Sequence, residues 1–155
     1  MFTGDTAGDF LCAGLHRAGF ANQPPSSGLS DGLALNDCYI TAAARCVPPQ
    51  NRLVAEELHN CRPFLVRELE ALPTVRAIMP LGGVAFEATL RAFRDMGHGI
   101  PSHKFAHGVL VELPDGLAPL LPSYHVSLQN TNTGRLTPEM FDSVLNRIKV
   151  LIENE

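Results

Sequence analysis

Nine residues near the carboxyl end, His125 to Thr133 in the stretch PSYHVSLQNTNTGRLTPEM, carry one imidazole, three hydroxyls and three carboxamides. The side chains are His125, Ser127, Gln129, Asn130, Thr131, Asn132 and Thr133. All of them donate or accept hydrogen bonds at neutral pH, and most do both. A connecting loop seldom needs so many different polar groups, so the run reads as a recognition surface. The plainer reading is a polar surface turn capped by Thr137 ahead of Pro138. A second stretch, ITAAARCVPPQNRLVAEELHNCRPFL, places Cys46 and Cys61 on either side of a proline loop. Their separation is not a zinc-ribbon spacing, and two thiolates cannot close a tetrahedral site. Burial as apolar thiols is the commonest fate of free cysteine, and ligation of a metal group stays open beside it.

The elements that must position these groups follow from periodicity. Thr6 to Arg17 reads as a helix capped by Thr6, with Asp9 in a weak capping-box position and Gly19 as its stop. Residues 22–32 form a loop by composition. Residues 38–44 read as a short buried strand. A helix is expected over 54–72, with Pro63 as a kink or the start of its second half. Residues 75–83 read as a strand ending on Gly82 and Gly83, which open a helix over 84–93. Strands are expected over 107–114 and 117–125, the second delivering His125 at its carboxyl end. A last helix begins at Pro138, a residue suited to a first helical turn, and runs to about Ile152.

This alternation argues a three-layer α/β/α sandwich with a mainly parallel central sheet, folded as a single domain over 1–155. Ligands of such sheets bind outside the carboxyl ends of the strands. The loop after residue 44, the Gly82–Gly83 pair and the run from Ser123 to Gly134 fall there. The chain opens on MFTGDTAGDF, a glycine-bearing turn running straight into a helix, so the first strand of the sheet is expected to be missing.

Bulk properties narrow the class. The chain has 155 residues, 45% hydrophobic and 18% charged, which is an ordinary globular balance and excludes a disordered chain. Apolar runs are short, so no membrane span is expected, and a soluble cytoplasmic monomer is. The net charge of −4 disfavours a protein that coats nucleic acid, yet a local patch suffices for an enzyme meeting a few phosphates. All four cysteines, Cys12, Cys38, Cys46 and Cys61, lie in the first 61 residues.

Several segments in order resemble the iron–sulfur uracil-DNA glycosylases, in particular the broad-specificity branch often called family 5. They are FTGD at the start, LHRAGFANQP, YITAAARCVPP followed by CRPFL, LGGVAFEATLR, GHG and SYHVSLQNTNTGRLTPEM. The resemblance runs from Phe2 to about Ile148. The family closes its active site with His-Pro-Ser-x-x-Asn-x-x-Thr-Gly, which His125, Ser127, Asn130, Thr133 and Gly134 match.

The resemblance implies a base-excision repair hydrolase that cuts the N-glycosidic bond of uracil or another deaminated base in DNA. His125 would donate a hydrogen bond to the base carbonyl where negative charge develops, a role a neutral imidazole can fill. Ser127, Gln129 and Asn130, with Thr133 and Gly134, would meet the DNA and the flipped nucleotide. Phe2 would stack on that base. Cys46 and Cys61 would be two of the four ligands of a 4Fe-4S cluster, with Arg45 and Arg62 adding positive charge beside them. Cys12 and Cys38 do not stand at ligand positions and are expected to pack.

The departures from the pattern are specific. The family's Gly-Leu-Ala-Pro motif, its water-activating loop and its first cysteine pair precede the position of Phe2, and this sequence carries none of them at that place. From Met1, the chain is therefore expected to excise little uracil and to hold an incomplete cluster. An inactive shortened relative, or a mispredicted reading frame, is the alternative to an enzyme. Val126 replaces the proline after the histidine and is expected to loosen that turn. Ala42 stands where many relatives carry a base-reading asparagine, so weaker discrimination among bases follows.

Overall fold

A computed structural model describes residues 5–24, 28, 30–45 and 53–153. The chain divides into two compact units, one of Met1–Tyr39 with Ser123–Glu155 and one of Ile40–Pro122. Among the described residues there are five helices: α1 (Thr6–Ala18), α2 (Ala55–Ala71), α3 (Gly83–Asp95), α4 (Leu128–Asn132) and α5 (Pro138–Glu153). None of them is long and apolar enough to cross a membrane.

In the first unit α1 packs on α5. The expected cap of α1 shifts by one residue. Asp5, not Thr6, is extended and accepts the Gly8 N–H at 2.6 Å. A carboxylate at this end also meets the positive pole of the helix, which a hydroxyl does not. Gly19 ends the helix at φ 86°, in the left-handed region, with its N–H returned to the last turn. Leu11, Cys12, Leu15 and Ala18 on α1 are buried, as are Phe141, Val144, Leu145 and Ile148 on α5. Their spacing in both helices is one apolar stripe. Arg17 forks onto both carboxylate oxygens of Asp142 at 2.8 Å, and the Phe10 and Phe141 rings lie 5.5 Å apart.

The two helices approach closely at Gly14. A Cβ there would come within 2.5 Å of Phe141 Cδ1, on a ring that is fully buried. Alanine normally stabilises a helix interior over glycine by roughly 1 kcal/mol. Here the sign reverses, because overpacking a filled core costs about 1–3 kcal/mol. Gly14→Ala is expected to lower the thermal midpoint; a raised midpoint would show that the ring can move aside.

In the second unit α2 lies against α3. Val54 precedes α2, and its N–H donates to the Glu57 carboxylate at 3.0 Å, one half of a capping box. The helix runs through Pro63 without interruption. α3 opens on Gly82 at φ 90°, a conformation that favours glycine. Phe86, Leu90 and Phe93 from α3 form a core with Ile100, Val111, Leu113 and Leu120.

The sheet is much shorter than the sequence leads one to expect. No described residue belongs to a multi-residue strand. Instead Leu120 bridges Ile78 in parallel and Val111 in antiparallel fashion. The parallel bridge consists of Ile78 N–H to Pro119 O at 3.0 Å and Leu121 N–H to Ile78 O at 2.9 Å. The next rung of that ladder would need the N–H of residue 80, and Pro80 has none to give. Residues 38–45 form neither helix nor bridge. The α/β character therefore rests on single bridges, and one of the two around Leu120 is antiparallel.

Candidate active site: the His125 loop

The polar run between Ser123 and Pro138 is a folded loop whose middle is a short helix, α4, which periodicity did not predict. Ser127 precedes it in extended conformation, and its carbonyl accepts the N–H groups of Asn130 and Thr131, both at 3.0 Å. The Ser127 hydroxyl makes no capping bond. Thr133 donates its hydroxyl back to the Gln129 carbonyl at 2.6 Å. Gly134 then turns the chain at φ 71°, and the Leu136 N–H donates to the Asn130 carbonyl at 3.0 Å. Leu136 is fully buried, so the loop is pinned at its far end by an apolar anchor.

His125 sits at the near end. The Asn130 carboxamide donates to the His125 carbonyl at 2.9 Å, and the following residue, Val126, is wholly buried. These two holds act on the turn that Val126 is expected to loosen. Proline would fix φ by its ring, whereas here burial and a carboxamide fix the same place from outside. Ser123 is also fully buried, and its hydroxyl donates to the Tyr124 carbonyl at 3.0 Å.

Part of the imidazole faces solvent and the rest lies against protein. That contact disfavours the charged form, so desolvation lowers the His125 pKa below the ordinary histidine value. The ring is therefore neutral at physiological pH, a donor through one nitrogen and an acceptor through the other.

Two residues that the sequence reading passed over complete this surface. Arg135 stacks its guanidinium over the Tyr124 ring, 4.9 Å from the centroid, which parks a positive charge next to the residue before His125. Leu128 is 48% exposed, an apolar side chain standing among carboxamides and hydroxyls. Its position as a leucine directly between Ser127 and Gln129 was the available signal.

The structure brings His125, Ser127, Gln129, Asn130, Thr133 and Gly134 into one loop of the first unit. Ala42 and Cys61 belong to the second unit, where the Arg45 N–H donates to the Cys61 sulfur at 3.3 Å. A hydrogen bond to sulfur suits a thiolate ligand. Cys12 is buried, as expected of a packing residue, and burial raises the Cys38 pKa, which opposes thiolate formation there. Among the described residues no three metal-ligating side chains converge. Phe2 and Cys46 lie outside the described residues.

The model of the uracil DNA glycosylase superfamily matches residues 1–149. A type-5 uracil-DNA glycosylase of Thermus thermophilus is 48% identical over 150 residues, covering 97% of this chain and 66% of that protein. One from Mycobacterium tuberculosis is 45% identical over 152 residues, 97% of this chain and 56% of the relative. A third, from Pyrobaculum aerophilum, is 40% identical over 147 residues, 95% of this chain and 62% of the relative. The chain thus spans between 56% and 66% of the length of these relatives. A match over nearly every residue, carried through the His125 loop, settles the lineage: the chain belongs to the uracil-DNA glycosylase superfamily.

Proposed function

We propose that this chain carries base-excision chemistry, hydrolysing the N-glycosidic bond of uracil or another deaminated base in DNA. The observation that carries this reading is His125, open to solvent at the head of a loop of hydrogen-bonding groups, with its carbonyl held by the Asn130 carboxamide. In the reaction the bond between C1′ and the base nitrogen breaks and the base leaves with the electron pair. Water supplies hydroxide to C1′ and, in net terms, a proton to the base. A neutral N–H aimed at the base carbonyl oxygen stabilises the negative charge that gathers there, and it transfers no proton in doing so.

The target base leaves the helical stack to reach such a group. Ser127, Gln129, Asn130, Thr133 and Gly134 meet the backbone and the extruded nucleotide, and Arg135 neutralises phosphate. Leu128 can enter the stack from which the base has gone, as apolar side chains of other DNA-bending proteins do. Phe2 stacks on the base. Ala42 presents only a methyl group, which widens the range of bases admitted. The scaffold in this reading is a three-layer α/β/α sandwich acting as one domain and as a monomer.

Cys46 and Cys61 would hold two corners of a 4Fe-4S cluster, and the Arg45 N–H on the Cys61 sulfur fits that assignment. The cluster would tie the segment between the two cysteines.

The direct test is a labelled oligonucleotide containing one uracil, incubated with the protein and cleaved by alkali at any abasic site. Strand cleavage that depends on the uracil is expected, slow but above a protein-free control when protein is in excess over DNA. No cleavage with protein in excess over DNA would overturn the reading.

A further inference from the structure

One side of α2 grips the stretch 41–45, and a single carboxylate makes most of the grip. Cys61, Phe64, Leu65 and Glu68 recur at the spacing of one helical face. Each touches the stretch or the cluster it packs on. The Arg45 N–H donates to the Cys61 sulfur at 3.3 Å, and the Arg45 guanidinium lies over the Phe64 ring, 4.8 Å from its centroid. Ala43 packs against the small cluster of Leu65, Ala88 and Ala92. Glu68 uses both oxygens: Oε1 accepts from the Arg45 guanidinium and Oε2 from the Thr41 hydroxyl. Glu68 is mostly shielded, its side chain 17% exposed, so the carboxylate sits where its bonds are least weakened by water.

This grip bears on recognition because of what residue 42 lacks. A methyl group makes no hydrogen bond, so any polar contact the chain offers a base at this point comes from the main chain on either side. That main chain is in neither helix nor bridge, so its place is set by side chains reaching in from elsewhere. Thr41 and Arg45 bracket Ala42, and the two oxygens of Glu68 hold the bracket.

We propose that Glu68 is a positioning residue that fixes the main chain over 41–45 and thereby sets which bases the protein prefers. The inference rests on the reading of Ala42 as a base-facing position. It asks more than that reading does, because it makes base preference depend on a residue of α2 that meets neither base nor DNA.

The test uses the full chain with Glu68→Ala and Glu68→Gln. Amide hydrogen exchange reports the segment itself, with α3 as an internal control. The ratio of excision rates for uracil and hypoxanthine in matched oligonucleotides reports preference, and a ratio is blind to how much protein is folded. Glu68→Ala is expected to speed exchange at 41–45, leave α3 unchanged and shift the ratio by on the order of tenfold. Glu68→Gln is expected to recover both, because a carboxamide can still accept from Arg45 and bond the Thr41 hydroxyl. If Glu68→Ala does not fold, Thr41→Val removes one of the two bonds with little change of volume and is expected to shift the ratio in the same direction. An unchanged ratio in a variant whose exchange has quickened overturns the link to preference. Unchanged exchange overturns the grip itself. A wild-type protein that excises neither base defeats the glycosylase reading, and exchange then still decides whether Glu68 holds the segment.

Discussion

His125→Ala is expected to slow whatever uracil excision the protein carries, strongest in a form as long as its relatives, by two to three orders of magnitude while leaving the fold in place. Removing one donor aimed at a developing oxyanion costs about 2.7–4 kcal/mol of transition-state stabilisation. The ring itself is partly open to solvent, so its loss leaves no large cavity, and the Asn130 bond goes to the His125 carbonyl, which alanine keeps. The decrease should therefore fall on kcat, with DNA binding little changed. Single-turnover excision alongside a binding titration separates the two, and near wild-type turnover in the variant would remove His125 from the chemistry.

The same residue carries a pH signature. Its folded-state pKa lies below the ordinary value of about 6.5 because desolvation penalises the imidazolium. In the window between the two values the unfolded chain binds the proton and the folded chain does not. Stability therefore falls as pH falls through that window, and above 6.5 the contribution is constant. Following the ring protons by NMR should give a midpoint under 6.5 for His125.

Phe141→Ala is expected to be the most damaging substitution in the α1–α5 pair, at about 3–5 kcal/mol. The ring is fully buried, meets Phe10, and fills the space that Gly14 leaves open. Alanine would leave a cavity between two helices that are already as close as a glycine allows. For a chain of this length that loss corresponds to a fall of about 10 °C or more in thermal midpoint. Circular dichroism melting measures it, and a fall of only a degree or two would mean that the helices close over the gap. Gly14→Ala and Phe141→Ala share one space, so their effects should not add. The double variant is expected to be more stable than the sum of the two losses predicts.

The helices were legible because their signals are local. Gly19, the apolar stripe of α1, the Gly82–Gly83 pair and Pro138 each mark a helix boundary or face without reference to anything distant. The strands were not legible to the same degree. β-branched and apolar runs at 75–83, 107–114 and 117–125 announce extended chain, but ladder length is decided by which residues end up opposite one another. That the next rung falls on Pro80 shows only in the folded chain. The short helix α4 escaped for a related reason, since asparagine and threonine are weak helix formers and α4 is held by bonds at its ends. The chemistry of the His125 loop was readable from residue types alone. Glu68 was not, because a glutamate on a helix face carries no mark of the two groups that will find it.

The short pairing around Leu120 also has a consequence for how the protein behaves among other copies of itself. Extended segments with free N–H and C=O groups recruit further chains edge to edge, the route to insoluble aggregates. Here the extended run around Ile78 lacks one such donor, because residue 80 is a proline. Pro80→Val, a substitution that looks stabilising on paper, would restore that donor. A longer ladder would come with lower solubility, so Pro80→Val is expected to aggregate more readily than the parent chain.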